Sequence, residues 1–585
     1  MRRPRLFPCI LAAAALAAAP AFLGCARGGR ESRTPRRGGR LVVALAAPID
    51  ALNPLVARSA EAQVAADRLL PRLARPRLPD DGGAPGLEPG LAAAWEVADG
   101  GRAVSVALRP GRWSDGTPIV CADLQFTLRA QMSPEIGWRG AGFRQRIERI
   151  DCPAPDRAVV RFKAFDPDAL LDAFEGNVLP RALDRWSFHS WRTADWVARL
   201  VTAGPFRVGP ERAGAALSLE RDAAWGGASG RPYIDRIDFR VVPDPTARMN
   251  ELLAGNVDVA DGLTPWNAAR LAADPDVRIE RRRGWSYAYL GWNTIDPAAY
   301  ADARAAREAD CAKRGERDCP DDPQAIAELA RRRPHPLFGD PRARRALTLA
   351  IDRAALVREL FRGDAEVPAS PILAPLPEHD PSLAPWPYDP LEARRLLAAA
   401  GFAPGAGGWL VAPDGRPFSF ELVYAAAPGA RAAAAVEMIR RDLARIGVAL
   451  HPRAAPPAEY ADALARRRIE AWFGGWQVSS RVDTGEILGA PGRGRAGANY
   501  GGFADAEADD LAARARTTEG PAARAALWRR WEARFHALQP YTILFRPPRL
   551  VGLRTRVRGA ASLSADDPLR GVEDWWLEEA PPRRP

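Results

Sequence analysis

The segment Leu91–Phe126, LAAAWEVADGGRAVSVALRPGRWSDGTPIVCADLQF, decides how the chain folds. Residues Val97–Leu108 alternate between apolar and polar side chains around the turn Asp99–Gly101, a pattern typical of a tight β-hairpin. A second turn follows at Ser114–Pro118, where glycine tolerates a positive φ and proline fixes its own φ. The apolar spacing of Leu124–Leu128 then predicts a helix. The segment therefore predicts a hairpin, a turn and a helix, which by themselves indicate no function.

The composition describes a large globular protein. The chain has 585 residues, of which 47% are hydrophobic, and this length favours two to four domains. Almost all of its 83 basic residues are arginines, the lysines being Lys163 and Lys313, and alanine, glycine and proline are abundant, as expected from a GC-rich coding bias. We therefore attribute the net charge of +11 to solvated arginines. Without a basic stripe interleaved with aromatic residues, we expect no nucleic-acid partner.

The N-terminus predicts export. Residues 1–24 combine a basic start with a core rich in alanine and leucine, which is typical of a secretory signal peptide. The run Phe22–Cys25 resembles a lipobox, in which Cys25 is lipidated, although Phe22 departs from the usual leucine. Ordinary cleavage that leaves an unmodified cysteine is the alternative. Residues 25–39 are rich in glycine, arginine and serine and predict a flexible tether to the lipid anchor.

The opening segment also carries a family resemblance. Its order of residues resembles the early signature of the peptide/nickel (oligopeptide/dipeptide-binding) family, the solute-binding proteins that feed ABC importers. The residues that match are Leu91, Ala92, Trp95, Glu96, Asp99, Gly100, Leu108, Arg109, Gly111, Trp113, Asp115, Gly116, Thr117, Pro118, Ala122 and Asp123. Later blocks resemble the same family, at residues 201–208, 225–237, 338–353, 388–402 and 499–511.

This resemblance implies an α/β fold of the bilobal periplasmic-binding-protein type, class II-like and cluster C-like, with an extra smaller domain in the first lobe. It places the accessory domain at residues 60–188 and the second lobe at residues 284–540. The first lobe is expected to combine residues 40–59, 189–283 and 541–580. We interpret the polar stretch from Asp296 to His335 as an insertion with its own helix and a disulfide staple.

Four cysteines follow the anchor: Cys121, Cys152, Cys311 and Cys319. An exported chain meets an oxidising compartment, so we expect disulfides, and four cysteines allow three pairings. Short loops favour Cys121 with Cys152 and Cys311 with Cys319. A zinc site is the alternative, although the spacing has no CxxC and no histidine lies nearby.

Motifs of catalysis are missing from the sequence. It has no P-loop, HExxH or GxSxG, and its five histidines are dispersed. The run Gly492–Gly497 satisfies GxGxxG but lies in a predicted loop that no helix follows, so we interpret it as chance. Asp115 and Asp123 are interpreted as turn and cap carboxylates. We therefore expect no enzyme, no metal and no cofactor.

By resemblance, the predicted strand Gly474–Ser480 holds the candidate site. In peptide-binding relatives such a strand offers backbone groups to an extended ligand, and an Asp three residues after the tryptophan binds the ligand's α-ammonium. Here Ser479 takes that position, so the ligand is not expected to be held by a free peptide N-terminus in that way. The candidate ligand-binding residues are Gly475, Trp476, Gln477 and Ser479 on this strand, with Arg58, Ser59 and Asn293 from other segments. Core packing is the alternative role for Trp476.

We therefore predict a receptor that captures a peptide or peptide-like solute between two hinged lobes and delivers it to an ABC permease. It is expected in the periplasm, at the outer face of the cytoplasmic membrane, lipid-anchored and monomeric. Two alternatives remain open: a sensor or folding aid on the same scaffold, and an exported hydrolase.

Overall fold

The computed structural model describes residues 34–77, 86–209, 217–227, 230–316, 319, 321–426, 431–478, 481–484, 487–488, 498–564 and 567–578. The predicted signal peptide, Cys25 and Ser479 lie outside these ranges. The chain divides into two units, residues 1–35 and residues 36–585, and the elements below belong to the second unit.

The strands are β1 (Arg40–Leu45), β2 (Ala74–Arg77), β3 (Gly86–Pro89), β4 (Ala92–Ala98), β5 (Ala103–Leu108), β6 (Ile147–Ala154), β7 (Arg157–Phe162), β8 (Phe206–Val208), β9 (Leu217–Arg221), β10 (Arg236–Val241), β11 (Val259–Ala260), β12 (Val277–Arg283), β13 (Ser286–Trp292), β14 (Ala403–Pro404), β15 (Leu410–Val411), β16 (Ser419–Ala425), β17 (Ala449–Ala455), β18 (Ala471–Gln477), β19 (Tyr541–Phe545), β20 (Pro548–Arg554), β21 (Val557–Arg558) and β22 (Trp576–Leu577).

The helices are α1 (Ala60–Leu69), α2 (Cys121–Met132), α3 (Ala141–Arg144), α4 (Ala169–Ala173), α5 (Trp196–Arg199), α6 (Pro245–Ala254), α7 (Pro265–Leu271), α8 (Pro297–Lys313), α9 (Pro323–Arg332), α10 (Pro341–Ala350), α11 (Arg353–Phe361), α12 (Pro390–Ala399), α13 (Arg431–Ala444), α14 (Pro457–Ala465), α15 (Ala506–Ala515) and α16 (Pro521–Leu538). Two of them, α8 and α9, lie in the polar stretch for which one helix was predicted.

The opening segment forms the predicted hairpin, turn and helix. Strands β4 and β5 pair antiparallel around a turn whose residues Asp99, Gly100 and Gly101 all have positive φ, at 55°, 59° and 85°. Glycine adopts this left-handed conformation without a steric penalty. Asp123 is 1% exposed, and its carboxylate accepts hydrogen bonds from the Val120 N–H at 2.8 Å and from the Trp113 indole at 3.2 Å. This carboxylate is therefore a structural cap of α2 that also ties the helix to Trp113, beside the second turn.

Three sheets organise the molecule. A four-stranded sheet, in the order β4-β5-β7-β6, belongs to the accessory domain. A seven-stranded sheet, in the order β12-β20-β11-β1-β10-β9-β8, forms the first lobe and shares one hydrophobic core with the accessory domain. A five-stranded sheet, in the order β17-β16-β18-β13-β19, forms the second lobe, and separate apolar clusters cover its two faces.

The chain passes between the two larger sheets at two neighbouring places. One passage joins β12 to β13 and the other joins β19 to β20. A Cβ added to Gly284 in the first passage would lie 2.3 Å from the Pro547 carbonyl oxygen in the second, so the two passages are in backbone contact. Strand β19, which we predicted for the first lobe, pairs with β13 in the second lobe. The return to the first lobe therefore falls at Pro548, because β20 is the strand that joins the seven-stranded sheet.

All four cysteines in the described part form disulfides. Cys121 and Cys152 are joined with their Cα atoms 5.7 Å apart, and Cys311 and Cys319 with theirs 6.0 Å apart. The first disulfide links α2 to β6 within the accessory domain, and the second closes the end of α8. A zinc site built from these thiolates is thereby excluded, since a disulfide sulfur carries no thiolate charge.

Candidate functional site

Strand β18 lies in the middle of its sheet, yet along part of one edge no described strand pairs with it. It pairs with β13 over its whole length, from Ala471 opposite Trp292 to Gln477 opposite Ser286. On its other side it pairs with β16 over three residues only, and among the described residues this pairing ends at Phe473 opposite Tyr424. No strand among the described residues pairs with residues 474–477 on that side, and a strand edge of this kind can pair with another extended chain.

Aromatic rings pack beside this edge. The Trp476 ring is half-buried and parallel to the rings of Tyr289, at 6.3 Å between centroids, and Tyr500, at 6.4 Å. Tyr289 also stacks on Tyr541 at 4.3 Å. A Cβ at Gly474 would lie 2.9 Å from the Tyr289 ring, so only glycine lets this ring cross the strand. Trp476 therefore both packs against the core and presents a flat apolar surface beside the open edge.

The tyrosine hydroxyls of these stacked rings stay protonated. Burial raises the pKa of Tyr289, of Tyr541 and of Tyr500 above the ordinary value of 10.0. Such neutral hydroxyls can donate or accept hydrogen bonds but supply no charge at neutral pH.

An ionic cluster joins the accessory domain to the second lobe. Arg481, four residues after β18 ends, donates from Nε to Asp172 Oδ1 at 3.0 Å and lies 2.8 Å from Glu175. Arg524 of α16 donates to the Pro167 carbonyl at 3.0 Å and lies 3.3 Å from Asp168. These contacts bring the accessory domain and the second lobe into direct contact.

Burial and charge act against each other in this cluster. Burial raises the pKa of Asp172 to about 7, despite Arg481 and with further help from the neighbouring Asp166. Burial opposes ionisation of Glu175 as well, but Arg481 outweighs it and the pKa is lowered. The Arg481 guanidinium in turn has a raised pKa, because Glu175 and Asp172 outweigh the effect of its own burial.

The remaining candidate residues take local structural positions. The Asp50 carboxylate accepts hydrogen bonds from the Arg58 and Ser59 N–H groups at 2.8 and 3.1 Å. The Ser59 hydroxyl caps α1 by accepting from the Ala62 N–H at 3.1 Å. Asn293 is 1% exposed and accepts from the Ile295 N–H at 3.1 Å, which closes a turn after β13. The structure does not bring Arg58, Ser59 or Asn293 into contact with Trp476.

Gly475 and Gln477, by contrast, lie exposed on β18 beside Trp476. Sequence reasoning missed the acidic side of the interlobe cluster, although the run from Asp166 to Glu175, DPDALLDAFE, places four carboxylates within ten residues. That density was the available signal. Its partner Arg481 gave none, because the contact spans 309 positions along the chain.

A serine, a histidine and a carboxylate do meet elsewhere, but not in a catalytic order. The buried Glu532 accepts from the Ser370 hydroxyl and lies 3.0 Å from His379 Nδ1. In a hydrolytic triad the serine would instead contact the histidine, which takes its proton. The Ser370 hydroxyl here donates to Glu532 and not to His379, so the three residues do not form such a triad. Among the residues the structure describes, no group of three or more His, Cys, Asp or Glu could hold a metal ion, and no helix is long and apolar enough to cross a membrane.

Two lobes joined by adjacent passages, with an open strand edge and an aromatic wall in one of them, are an arrangement suited to binding a ligand between hinged lobes. Residues 86–487 match the family model described as "Bacterial extracellular solute-binding proteins, family 5 Middle". The chain belongs to this family of extracytoplasmic receptors, which hand small solutes to ABC permeases, and it is not an enzyme.

Curated relatives cover most of the chain. Oligopeptide-binding protein AppA of Bacillus subtilis (strain 168) is 24% identical over 509 residues, 83% of each chain. Heme-binding protein A of Haemophilus influenzae is 23% identical over 516 residues, 82% of each chain. Di/tripeptide-binding protein 2 of Pseudomonas aeruginosa is 23% identical over 500 residues, 80% of this chain and 83% of the relative.

Solved structures confirm the predicted bilobal fold class. AppA from Bacillus subtilis in complex with a nonapeptide matches with a TM-score of 0.71 and 22% identity, covering 93% of this chain and 100% of that one. NikZ from Campylobacter jejuni in complex with Ni(L-His) also gives 0.71, at 18% identity, covering 92% and 99%. The family resemblance predicted from the opening segment is likewise confirmed.

Proposed function

We propose that this receptor captures a peptide or peptide-like solute along residues 474–477 of β18 and releases it unaltered to its permease. One observation carries the proposal. Among the described residues, β18 stops pairing with β16 at Phe473, whereas it continues to pair with β13 as far as Gln477. An extended peptide can add to such an edge through main-chain hydrogen bonds, which do not depend on its sequence.

The side chains along this edge fit an extended chain. Gly475 leaves space, since an added Cβ would meet only the Tyr287 carbonyl oxygen, at 3.4 Å. Trp476 offers a large ring on which an apolar side chain of the solute can pack. Gln477, exposed at the end of the strand, supplies an amide that both donates and accepts hydrogen bonds.

The names of relatives support the choice of solute. Bacillus subtilis AppA is named an oligopeptide-binding protein and its structure holds a nonapeptide, and a Pseudomonas aeruginosa relative is named for di- and tripeptides. We therefore place peptides first among the solutes to be tested.

The finer statements about location are also part of the proposal. Phe22–Cys25 supports lipid anchoring through Cys25 at the outer face of the cytoplasmic membrane, with residues 25–39 as tether. The mass of the mature N-terminus should include a diacylglyceryl group that Cys25→Ser removes. We expect a monomer by light scattering. For the domains, we keep residues 60–188 as accessory domain and extend the second lobe to residue 545.

Native mass spectrometry of the purified protein tests the function directly, and we expect a co-purified peptide. The peptide so identified is then titrated by calorimetry into wild type and Trp476→Ala, with an expected loss of about tenfold or more in affinity. Trp409→Ala is the matched control, because that ring is exposed on a hairpin of the second lobe. Equal affinity of wild type and Trp476→Ala, with intact folding, would contradict the placement of the solute on β18.

A further inference from the structure

The contact between Arg481 and the accessory domain has the chemistry of ligand recognition. Its guanidinium meets two carboxylates, Asp172 at 3.0 Å and Glu175 at 2.8 Å, and lies 4.3 Å from the centroid of the Phe143 ring. Paired carboxylates and an aromatic face are what a planar or compact organic cation requires. The Arg481 side chain is only 9% exposed, so it is enclosed by these groups rather than resting on a surface.

The accessory domain builds this acidic subsite by itself. Phe143 lies on α3 and Asp172 on α4, and Glu175 follows two residues after α4. Arg144 donates to the backbone carbonyls of Asp172 and Glu175, which fixes both residues without help from the other lobe. Arg481 is thus the part of the arrangement that the second lobe contributes.

One carboxylate oxygen of the subsite is incompletely satisfied. The Asp172 side chain is fully buried. No N–H group of the described residues donates to its Oδ2, and the neighbouring carboxyl of Asp166 can bond to Asp172 only when one of the two is protonated. The guanidinium of Arg146 lies 3.7 Å from Asp172 Oδ2, beyond hydrogen-bond distance. A buried carboxylate in this condition favours an additional donor, because it has lost its hydration.

Resting on the function proposed above, we propose that Arg481 is a specificity-determining residue. It fills the acidic subsite formed by Asp172, Glu175 and Phe143 and thereby excludes a cationic group of the solute from it. The receptor then selects its solute without using a free ammonium or guanidinium at this end of the site. Removal of the Arg481 side chain converts the position into a binding site for an organic cation.

Chemical rescue tests this assignment. Wild type, Arg481→Ala and Arg129→Ala are heated in up to 20 mM guanidinium chloride and in sodium chloride of equal concentration. Guanidinium should raise the Tm of Arg481→Ala relative to sodium and leave the other two proteins unchanged. Arg129→Ala is the matched control, because it removes an exposed ion pair within the accessory domain, that of Arg129 with Asp184 at 2.6 Å. If Arg481→Ala misfolds, Arg481→Gln replaces it. A response of the Arg481 variant no larger than that of wild type overturns the proposal.

Peptide binding supplies the specificity readout. Trialanine and N-acetyl-trialanine are titrated into both proteins, and wild type should bind them within about threefold of each other. The Arg481→Ala protein should prefer the free ammonium by about tenfold, since Asp172 and Glu175 then lose the positive charge of Arg481 and can accept that of the solute. Equal preference in both proteins overturns the proposal. If wild type binds no peptide at all, the function proposed above fails, while the guanidinium rescue still decides whether the subsite exists.

Discussion

Asp67 should make the accessory domain sensitive to acid. Its carboxylate accepts hydrogen bonds from Gln63 and Arg72, both at 2.8 Å, and from Asn177 at 2.9 Å. Burial opposes its ionisation, but Arg72, Arg75 and Arg68 outweigh burial, and the pKa falls from 3.8 to about 2. The residue lies on α1 and Asn177 follows α4, so the carboxylate ties together two segments of the accessory domain that are far apart along the chain.

The magnitude follows from proton linkage. Because the pKa of Asp67 is lower in the folded state than in the unfolded state, its stabilisation is complete above pH 3.8 and is lost as the pH falls through 2. A difference of this size corresponds to about 2.4 kcal/mol at pH 7 and about 1.3 kcal/mol at pH 3. Asp67→Asn, which does not titrate, should therefore destabilise the protein by nearly twice as much at pH 7 as at pH 3.

Urea unfolding followed by tryptophan fluorescence at both pH values measures the difference. Asp184→Asn is the control, because that carboxylate is half exposed in its pair with Arg129, and its loss should change the free energy of unfolding by less than about 0.5 kcal/mol. The reasoning is refuted if Asp67→Asn lowers stability equally at pH 7 and pH 3, since hydrogen bonding or packing would then explain the whole effect.

Two further changes test the packing of the fold. Gly204→Ala should destabilise the folded protein by about 2 kcal/mol or more, because the added Cβ would lie 2.1 Å from the Arg68 carbonyl oxygen. Gly226→Ala should be nearly neutral, because its added Cβ would meet no atom within 4 Å. Equal melting temperatures of the two variants would contradict this reasoning. Replacing both Cys121 and Cys152 by alanine should cost about 3 to 4 kcal/mol, because the disulfide closes a loop of 31 residues. The other disulfide closes a loop of 8 and should matter less in the same unfolding assay.

Local chemistry made part of this molecule predictable. The Asp99–Gly101 turn and the Asp123 cap follow from residues within a few positions of one another, and short loops favoured the disulfide partners that are observed. The family resemblance supplied the two lobes, which no local pattern specifies.

What local sequence leaves undecided depends on distant contacts. Asn293 and Ser59 were chosen by position; their side chains satisfy nearby backbone groups, and their part in ligand binding stays a prediction. Tyr541–Phe545 was assigned to the first lobe, but an apolar strand is compatible with either sheet until its partner is known. Arg481 was missed for the same reason, because the sequence around an arginine does not show whether its side chain is buried or solvated.

The position of β20 in the seven-stranded sheet has a consequence for how the protein is made. This strand, near the end of the chain, lies between β11 and β12, which are not neighbours of each other. During synthesis the second lobe can complete its sheet once β19 has emerged. The first lobe, in contrast, keeps β12 unpaired and one edge of β11 open until β20 follows. Such edges favour aggregation, so truncation before residue 548 should yield a folded second lobe attached to an aggregating remainder.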